Sequence, residues 1–290
     1  MVGEKFTIFS LLKYLFIAFF SLIIIYPLLN VLAVSLSSNN AILTRQVTFY
    51  PIGFNPHMYV YIWQYSNLAR AYFNTLRYVV LHTGLAMFVT TCAAYALSKG
   101  SRMWGYKFFM NMILFTMFFG GGLIPSYLTI RAYGLINTTA IIVILGCCGA
   151  YNIIVMRTFF QNLPKDLEDA GKIDGLNDFG VLRHVALPLS APIMTTISLF
   201  YAVGQWNSFF TPFIYLSDTK KWPVQILLRE LLIQGTVLSE DSHGASSEML
   251  MLPQSLINAT IVVAILPMIV IYPFLQKFFV KGVMIGSIKA

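Results

Sequence analysis

Charged residues are scarce in this chain: Asp, Glu, Lys and Arg make up 10% of its 290 residues, where the water-facing surface of such a domain needs roughly 25%. That excludes a soluble fold, and the hydrophobic share of 58% points to an integral membrane protein. Cysteine is scarce too. Cys92, Cys147 and Cys148 all lie inside apolar runs, in a number and spacing that suit neither a disulfide framework nor a zinc site. No G-x-x-x-x-G-K-[ST] loop is present to cradle phosphates, so any ATP-driven work must use another subunit's site. The apolar runs hold no pair of carboxylates, which removes the ingredients of a proton relay or a hydrolytic site. A repeat with a period of roughly 20 to 50 residues is missing as well, as are two halves with matching broken helices.

The formal charge is +8, yet the 19 Lys and Arg are scattered between apolar runs rather than gathered into a stripe. This argues against a nucleic-acid partner and for topology signals. A charge at the bilayer centre costs several kcal/mol, and about 20 apolar residues cross the hydrocarbon. Charge-free intervals therefore count the spans, and six qualify: 14–36, 78–98, 108–130, 132–156, 184–217 and 249–276. Each is expected to hold one transmembrane helix. Lys5, Lys13, Lys99, Arg102, Lys107, Arg157, Lys165, Lys172, Arg183, Lys277, Lys281 and Lys289 fall on one side of this layout, which places both termini in the cytoplasm. Ala33 and Ser35 form a small-residue pattern after the first run, but that run is too long for a cleaved signal and is expected to be retained.

The interval 46–69 also lacks charge, but Pro51, Gly53, Asn55, Pro56, His57, Gln64 and Asn67 would leave polar groups unsatisfied in lipid. It reads as an exposed loop. Tyr59, Tyr61, Trp63 and Tyr65 alternate with period two, which suits a short strand or helix lying at the interface. The two long outward segments, 37–71 and 218–248, the second with a polar run from Ser239 to Ser247, are candidates for touching an external partner.

The segment 157–188 holds five of the eleven acids. Pro164 suits a first helical turn, Asp166, Glu168 and Asp169 favour the positive end of a helix, and Gly175 can close it. Leu163, Leu167, Ala170 and Ile173 then share one face. Small residues at Ala170 and Gly171 let another backbone approach closely. The residues alone leave two readings open, a docking helix and a plain interfacial helix.

Asp169-Ala170-Gly171, three residues, Gly175, nine residues, Val185, one residue and Leu187-Pro188 resemble the "EAA" loop of ABC-importer permeases. Ile173-Asp174-Gly175, Ala186 to Ser190, Tyr151-Asn152 and Gly204-Gln205-Trp206-Asn207 resemble its sugar-transporting branch. Gly121 to Tyr127 and Trp222-Pro223-Val224-Gln225 resemble the oligosaccharide and polysaccharide permeases in particular. Two departures stand out: the family's Glu-Ala-Ala is Asp169-Ala170-Gly171 here, and its usual isoleucine is Val185. The resemblance implies an all-α, polytopic membrane protein with six transmembrane helices and the type I (MetI-like) ABC-importer permease fold. Residues 1–71 would form the first span and an extracytoplasmic loop, and residues 72–290 the permease core with a cytoplasmic coupling loop at 157–188. Glu168, Asp169, Ala170, Gly171, Asp174, Gly175, Leu187 and Pro188 would couple it to ATPases. The implied partners are a second, homologous permease, two cytoplasmic ABC ATPases that use ATP and Mg, and an extracytoplasmic sugar-binding protein, with no cofactor or metal on this chain. The setting would be the bacterial inner membrane.

Polar residues inside spans mark pathways, and Tyr201, Gln205, Trp206, Asn207 and Ser208 form the densest set. Aromatic faces and amides suit a sugar, while the alternative is hydrogen bonding between helices. Tyr151 and Asn152 are weaker candidates. Arg77 reads as snorkelling to the interface; facing a pathway, it would attract uronates such as those of alginate or pectin fragments. His82 reads as a hydrogen-bonded packing residue, and Gly120-Gly121-Gly122 before Pro125 as a kink or close helix contact. The competing functions are an ion-coupled secondary transporter and a membrane scaffold.

Overall fold

The computed structural model describes residues 8–65, 67–240 and 252–287, and the described residues form helices and turns with no strand. In chain order these are α1 (Ile8–Ser35), α2 (Asn39–Leu43), α3 (His57–Tyr65), α4 (Leu68–Ser98), α5 (Tyr106–Phe118), α6 (Leu123–Ala132), α7 (Thr139–Ile144) and α8 (Ala150–Gln161). There follow α9 (Lys165–Ile173), α10 (Asp178–Val181), a π-helical turn (Leu182–Ala186), α11 (Leu187–Leu189), α12 (Ala191–Trp206), α13 (Phe210–Tyr215), α14 (Val224–Glu240) and α15 (Leu252–Ser287). The chain divides into two compact units, Met1–Ala69 with Leu227–Met268, and Arg70–Ile226 with Ile269–Ala290. Among the described residues two helices, α1 and α4, are each long and apolar enough to cross a membrane, and α10 to α12 would make a third if that bent stretch is one span.

In the first unit, α1 leaves its Leu, Ile and Phe side chains uncovered by this chain, as suits a helix that faces lipid or another subunit. The chain after it folds back. Ser38 N–H donates to Ile52 O (2.9 Å), Asn55 N–H to Leu36 O (2.8 Å) and the Asn30 amide to Thr48 O (2.9 Å). Gly53, at φ +66°, is required there, since a Cβ would sit 2.7 Å from Ser38 Oγ. The period-two aromatics resolve as helix α3, not a strand: Met58 and Ile62, four apart, are its buried pair, while Tyr61 and Trp63 stay exposed. Tyr59 and Ser35 hydroxyls, 2.6 Å apart, fasten α3 to the end of α1.

The second unit is organised by α4, which buries Ala71, Thr75, Tyr78, His82, Ala86, Thr90, Ala94 and Leu97. Steps of three and four put these on one face, and their mostly small size lets neighbouring helices approach. At the N-terminal end of α4 the segment after α13 is stitched on: Asn74 donates to Lys220 O (2.8 Å), Tyr78 to Lys221 O (2.8 Å), and Val224 N–H to Thr75 Oγ1 (2.8 Å). The start of the outward segment 218–248 is thus fixed to α4, while Asp241 to Ser247 of its polar run, with Lys5 and Lys289, lie outside the described residues.

Three charge-free intervals, each expected to hold one transmembrane helix, are broken into shorter helices, and in 108–130 the break falls at the Gly120-Gly121-Gly122 stretch read as a kink or close helix contact. Phe119 is extended and Gly122 has φ +79° between α5 and α6; Leu145 is extended and Gly146 has φ +85° between α7 and α8; Asn207 to Phe209 separate α12 from α13. Absence of charge reports compatibility with lipid but not helical continuity, which glycine interrupts at little cost. Between α11 and α12 the axis turns by 85° at Ser190. Pro188 and Pro192 flank that residue, and Pro192 has no N–H for the Pro188 carbonyl, so the ladder lapses there.

Candidate functional site

Loop 157–188 builds a compact helical hairpin. Asp166 and Glu168 lie in the first turn of α9 and Lys172 in its last, each favoured by the helix dipole. The helix stops at Gly175, in the left-handed region at φ +85°. Gly175 N–H donates to Lys172 O and Leu176 N–H to Gly171 O, both 3.0 Å, the paired C-terminal bonds that a left-handed glycine permits. Asn177 Oδ1 then caps α10 by accepting from Gly180 N–H at 2.8 Å.

The face offered around α9 differs from expectation at two positions, Gly171 and Leu163. Gly171 is buried, and a Cβ there would meet Leu176, Val185 and Val181 of its own loop at 3.5 to 3.6 Å. Its smallness therefore serves the closing of this hairpin, not the outer surface. Leu167, Ala170 and Ile173 are exposed, Ile173 at 86%, while Leu163 packs on the core around Phe160. Asp169, Asp174 and Pro188 are exposed and Leu187 is half-buried.

Deeper in the same unit a polar cluster surrounds the break between α7 and α8. Tyr201 Oη lies 2.7 Å from Thr90 Oγ1 and accepts from Gly149 N–H at 3.2 Å. His82 Nδ1 donates to Val143 O at 2.9 Å, and the Cys147 thiol to the same carbonyl at 2.8 Å. Gln205 Nε2 reaches Ile142 O at 3.4 Å. These groups satisfy the backbone that the broken helix frees, a requirement inside lipid. Tyr201 and Trp206, both candidates for a pathway, are buried; Tyr151 and Asn207 are exposed, Asn152 and Gln205 half-buried. Trp206 Nε1 has no acceptor among the described residues.

Residues 6–285 match the family described as "Binding-protein-dependent transport system inner membrane component". The chain belongs to this family. It is 36% identical to the polygalacturonan/rhamnogalacturonan transport system permease protein YtcP of Bacillus subtilis, across 97% of this chain and 98% of that one. It is 35% identical to protein LplC of the same species, across 97% and 95%. A crystal structure of a bacterial ABC transporter involved in the import of the acidic polysaccharide alginate has a chain that superposes with a TM-score of 0.86 at 31% identity, covering 96% of this chain and all of the other.

The permease is thus an all-helical transport subunit of the inner membrane and not itself an enzyme. Among the described residues no group of three His, Cys, Asp or Glu could hold a metal ion. Sequence reasoning missed the residues at the C-terminal end of α4. Lys99 Nζ donates to Glu168 Oε2 at 2.7 Å, and Arg157 bonds Leu97 O (3.3 Å) and the Tyr106 hydroxyl. In the permease's sequence, Lys99 and Arg157 carried only a topology signal, because nothing in their spacing names a partner 69 or 60 positions away.

Proposed function

We propose that the permease crosses the membrane six times, with both termini in the cytoplasm, and forms half of the translocation path of an ATP-driven importer for oligosaccharides or polysaccharides. The spans would be α1, α4, α5 with α6, α7 with α8, α12 with α13, and α15. A second, homologous permease completes the path, two ATPase subunits drive it using ATP and Mg, and an extracytoplasmic binding protein delivers the sugar. The relatives that transport polygalacturonan or import alginate favour a uronate-containing substrate.

The observation that carries this reading is α9. A short helix in a closed hairpin presents Leu167, Ala170 and Ile173 outward, uncovered by this chain. Exposed apolar side chains beside charged Lys165, Asp166 and Asp169 suit insertion into a groove of another protein, and we assign that groove to the ATPase. Asp169, Asp174, Gly175, Leu187 and Pro188 then hold the loop and shape its rim. In the pathway, exposed Tyr151 and Asn207 with half-buried Asn152 and Gln205 offer ring faces and amides to sugar hydroxyls, while buried Tyr201 and Trp206 support them from behind.

The test is uptake by cells carrying the complete transporter. Oligogalacturonate or oligoalginate is expected to enter, and a neutral glucan of the same length to be excluded. Equal uptake of both overturns the uronate assignment, and loss of ATPase subunits from the purified complex in parent protein overturns the transporter itself.

A further inference from the structure

The C-terminal end of α4 carries a charged contact that is largely withdrawn from solvent. Lys99 Nζ lies 2.7 Å from Glu168 Oε2, both side chains are 17% exposed, and the ammonium sits 4.1 Å from the centre of the Tyr95 ring. Two other ion pairs, Lys172–Asp178 and Lys221–Asp218, are far more open to solvent and belong to the class worth little. A pair withdrawn from water is different: removing one partner strands a charge.

The surroundings give this contact a mechanical part. α9 packs chiefly on α10 and the π-helical turn of its own hairpin. Toward α4 it faces a polar cleft of about 380 Å³, lined by Ser98, Arg102, Gln161 and Asp169 together with the ion pair itself. Interdigitated side chains transmit a displacement because they resist compression, whereas a cleft absorbs it. The Lys99–Glu168 ion pair crosses this cleft, beside the apolar contacts that Leu182 and Ala186 of the hairpin make with the core around Tyr95 and Leu97. Arg157 ties the Leu97 carbonyl of α4 to the Tyr106 hydroxyl of α5, so the end of α4 that leads to Lys99 is itself joined to a second helix.

We propose that Lys99 is a positioning residue that, through Glu168, locks the movement of α9 to the end of α4 across the cleft. The proposal rests on the reading of α9 as the ATPase-contacting helix. In its absence the ATPases still engage α9 and hydrolyse ATP, but the stroke is taken up by the cleft and import lags behind hydrolysis. A lysine that served folding alone would change the amount of assembled transporter and leave the import gained per ATP untouched.

The experiment uses the whole transporter in proteoliposomes and reads substrate imported per ATP hydrolysed. The variants are Lys99→Met, Glu168→Gln, Lys99→Arg and the exchange Lys99→Glu with Glu168→Lys. Each is also assayed for the amount of ATPase that co-purifies with it. Lys99→Met and Glu168→Gln are expected to lower the ratio about tenfold with ATPase co-purification retained. Lys99→Arg is expected to keep the ratio, and the exchange to recover at least about half of it. Unchanged ratios in both single variants, or an exchange no better than Lys99→Met, overturn the proposal. Full ATPase co-purification with Ile173→Asp overturns the assignment of α9 on which it rests. Should Lys99→Met fail to assemble, the comparison of Glu168→Gln with the exchange decides.

Discussion

Thr90 Oγ1 and Tyr201 Oη lie 2.7 Å apart between α4 and α12, and the same phenol oxygen accepts the Gly149 N–H at the start of α8. One hydroxyl thus joins three helices at the point where the backbone is broken. Accepting from Gly149 leaves the phenol proton free to be donated to Thr90. Buried Thr90 and the half-buried Gly149 N–H both depend on this one oxygen.

Tyr201→Phe is therefore expected to act on stability, at about 1 to 3 kcal/mol for the polar groups left unpaired. Melting in detergent reports it. Transport should fall with the amount of folded protein, while the apparent KM for sugar holds. A raised KM with unchanged melting would move Tyr201 into the pathway instead.

Gly171 and Ile173 separate packing from docking on one short helix. Gly171→Ala should be tolerated, since its Cβ meets neighbours at ordinary contact distances of 3.5 to 3.6 Å. Gly171→Leu overpacks the hairpin at about 1 to 3 kcal/mol and should lower melting of the subunit alone. Ile173→Asp should leave that melting as it is and remove ATPase subunits from the co-purified complex. If Ile173→Asp still co-purifies in full, α9 does not dock there.

For the pathway, Tyr151→Ala and Asn207→Ala should lower sugar uptake while the complex assembles normally. Both side chains are exposed in this chain, so folding has little stake in them. Normal uptake in both variants would place the path along other residues.

The isolated permease should neither bind nor hydrolyse ATP, as no phosphate-cradling loop exists in its sequence. Nucleotide binding measured on the purified subunit, free of ATPases, checks this. Saturable binding there would refute it.

The ion pair of Lys99 should be indifferent to pH over the physiological range. Burial works to lower the Lys99 pKa, but hydrogen bonds and attraction from Glu168 and Tyr95 outweigh it and hold the ammonium above the ordinary lysine value. A raised pKa contributes stability that is fully present below the unfolded value and is lost only as pH climbs through the folded one. Import per ATP should thus be flat from about pH 6 to 9, and a decline within that window would mean that another group titrates.

The membrane setting was legible in the sequence because it is a property of composition: 10% charge over 290 residues admits no water-facing surface. Helix α9 was legible as well, since Pro164, the acids of the first turn and Gly175 act on the backbone within a few positions of themselves; the hairpin it forms with α10 was not. What a residue faces is another matter. Gly171 and Ile173 are two positions apart, yet one is buried in its own loop and the other open to solvent. Tyr201, Gln205 and Trp206 read alike as pathway residues, and only Gly149, Thr90 and Ile142, brought from elsewhere in the chain, show two of them bonding neighbouring helices. Lys99 and Glu168 meet for the same reason. Local signals fix where helices start and stop because they need only neighbours in sequence, but a side chain's partner is set by the packing of helices far apart along the chain, and that only the tertiary structure decided.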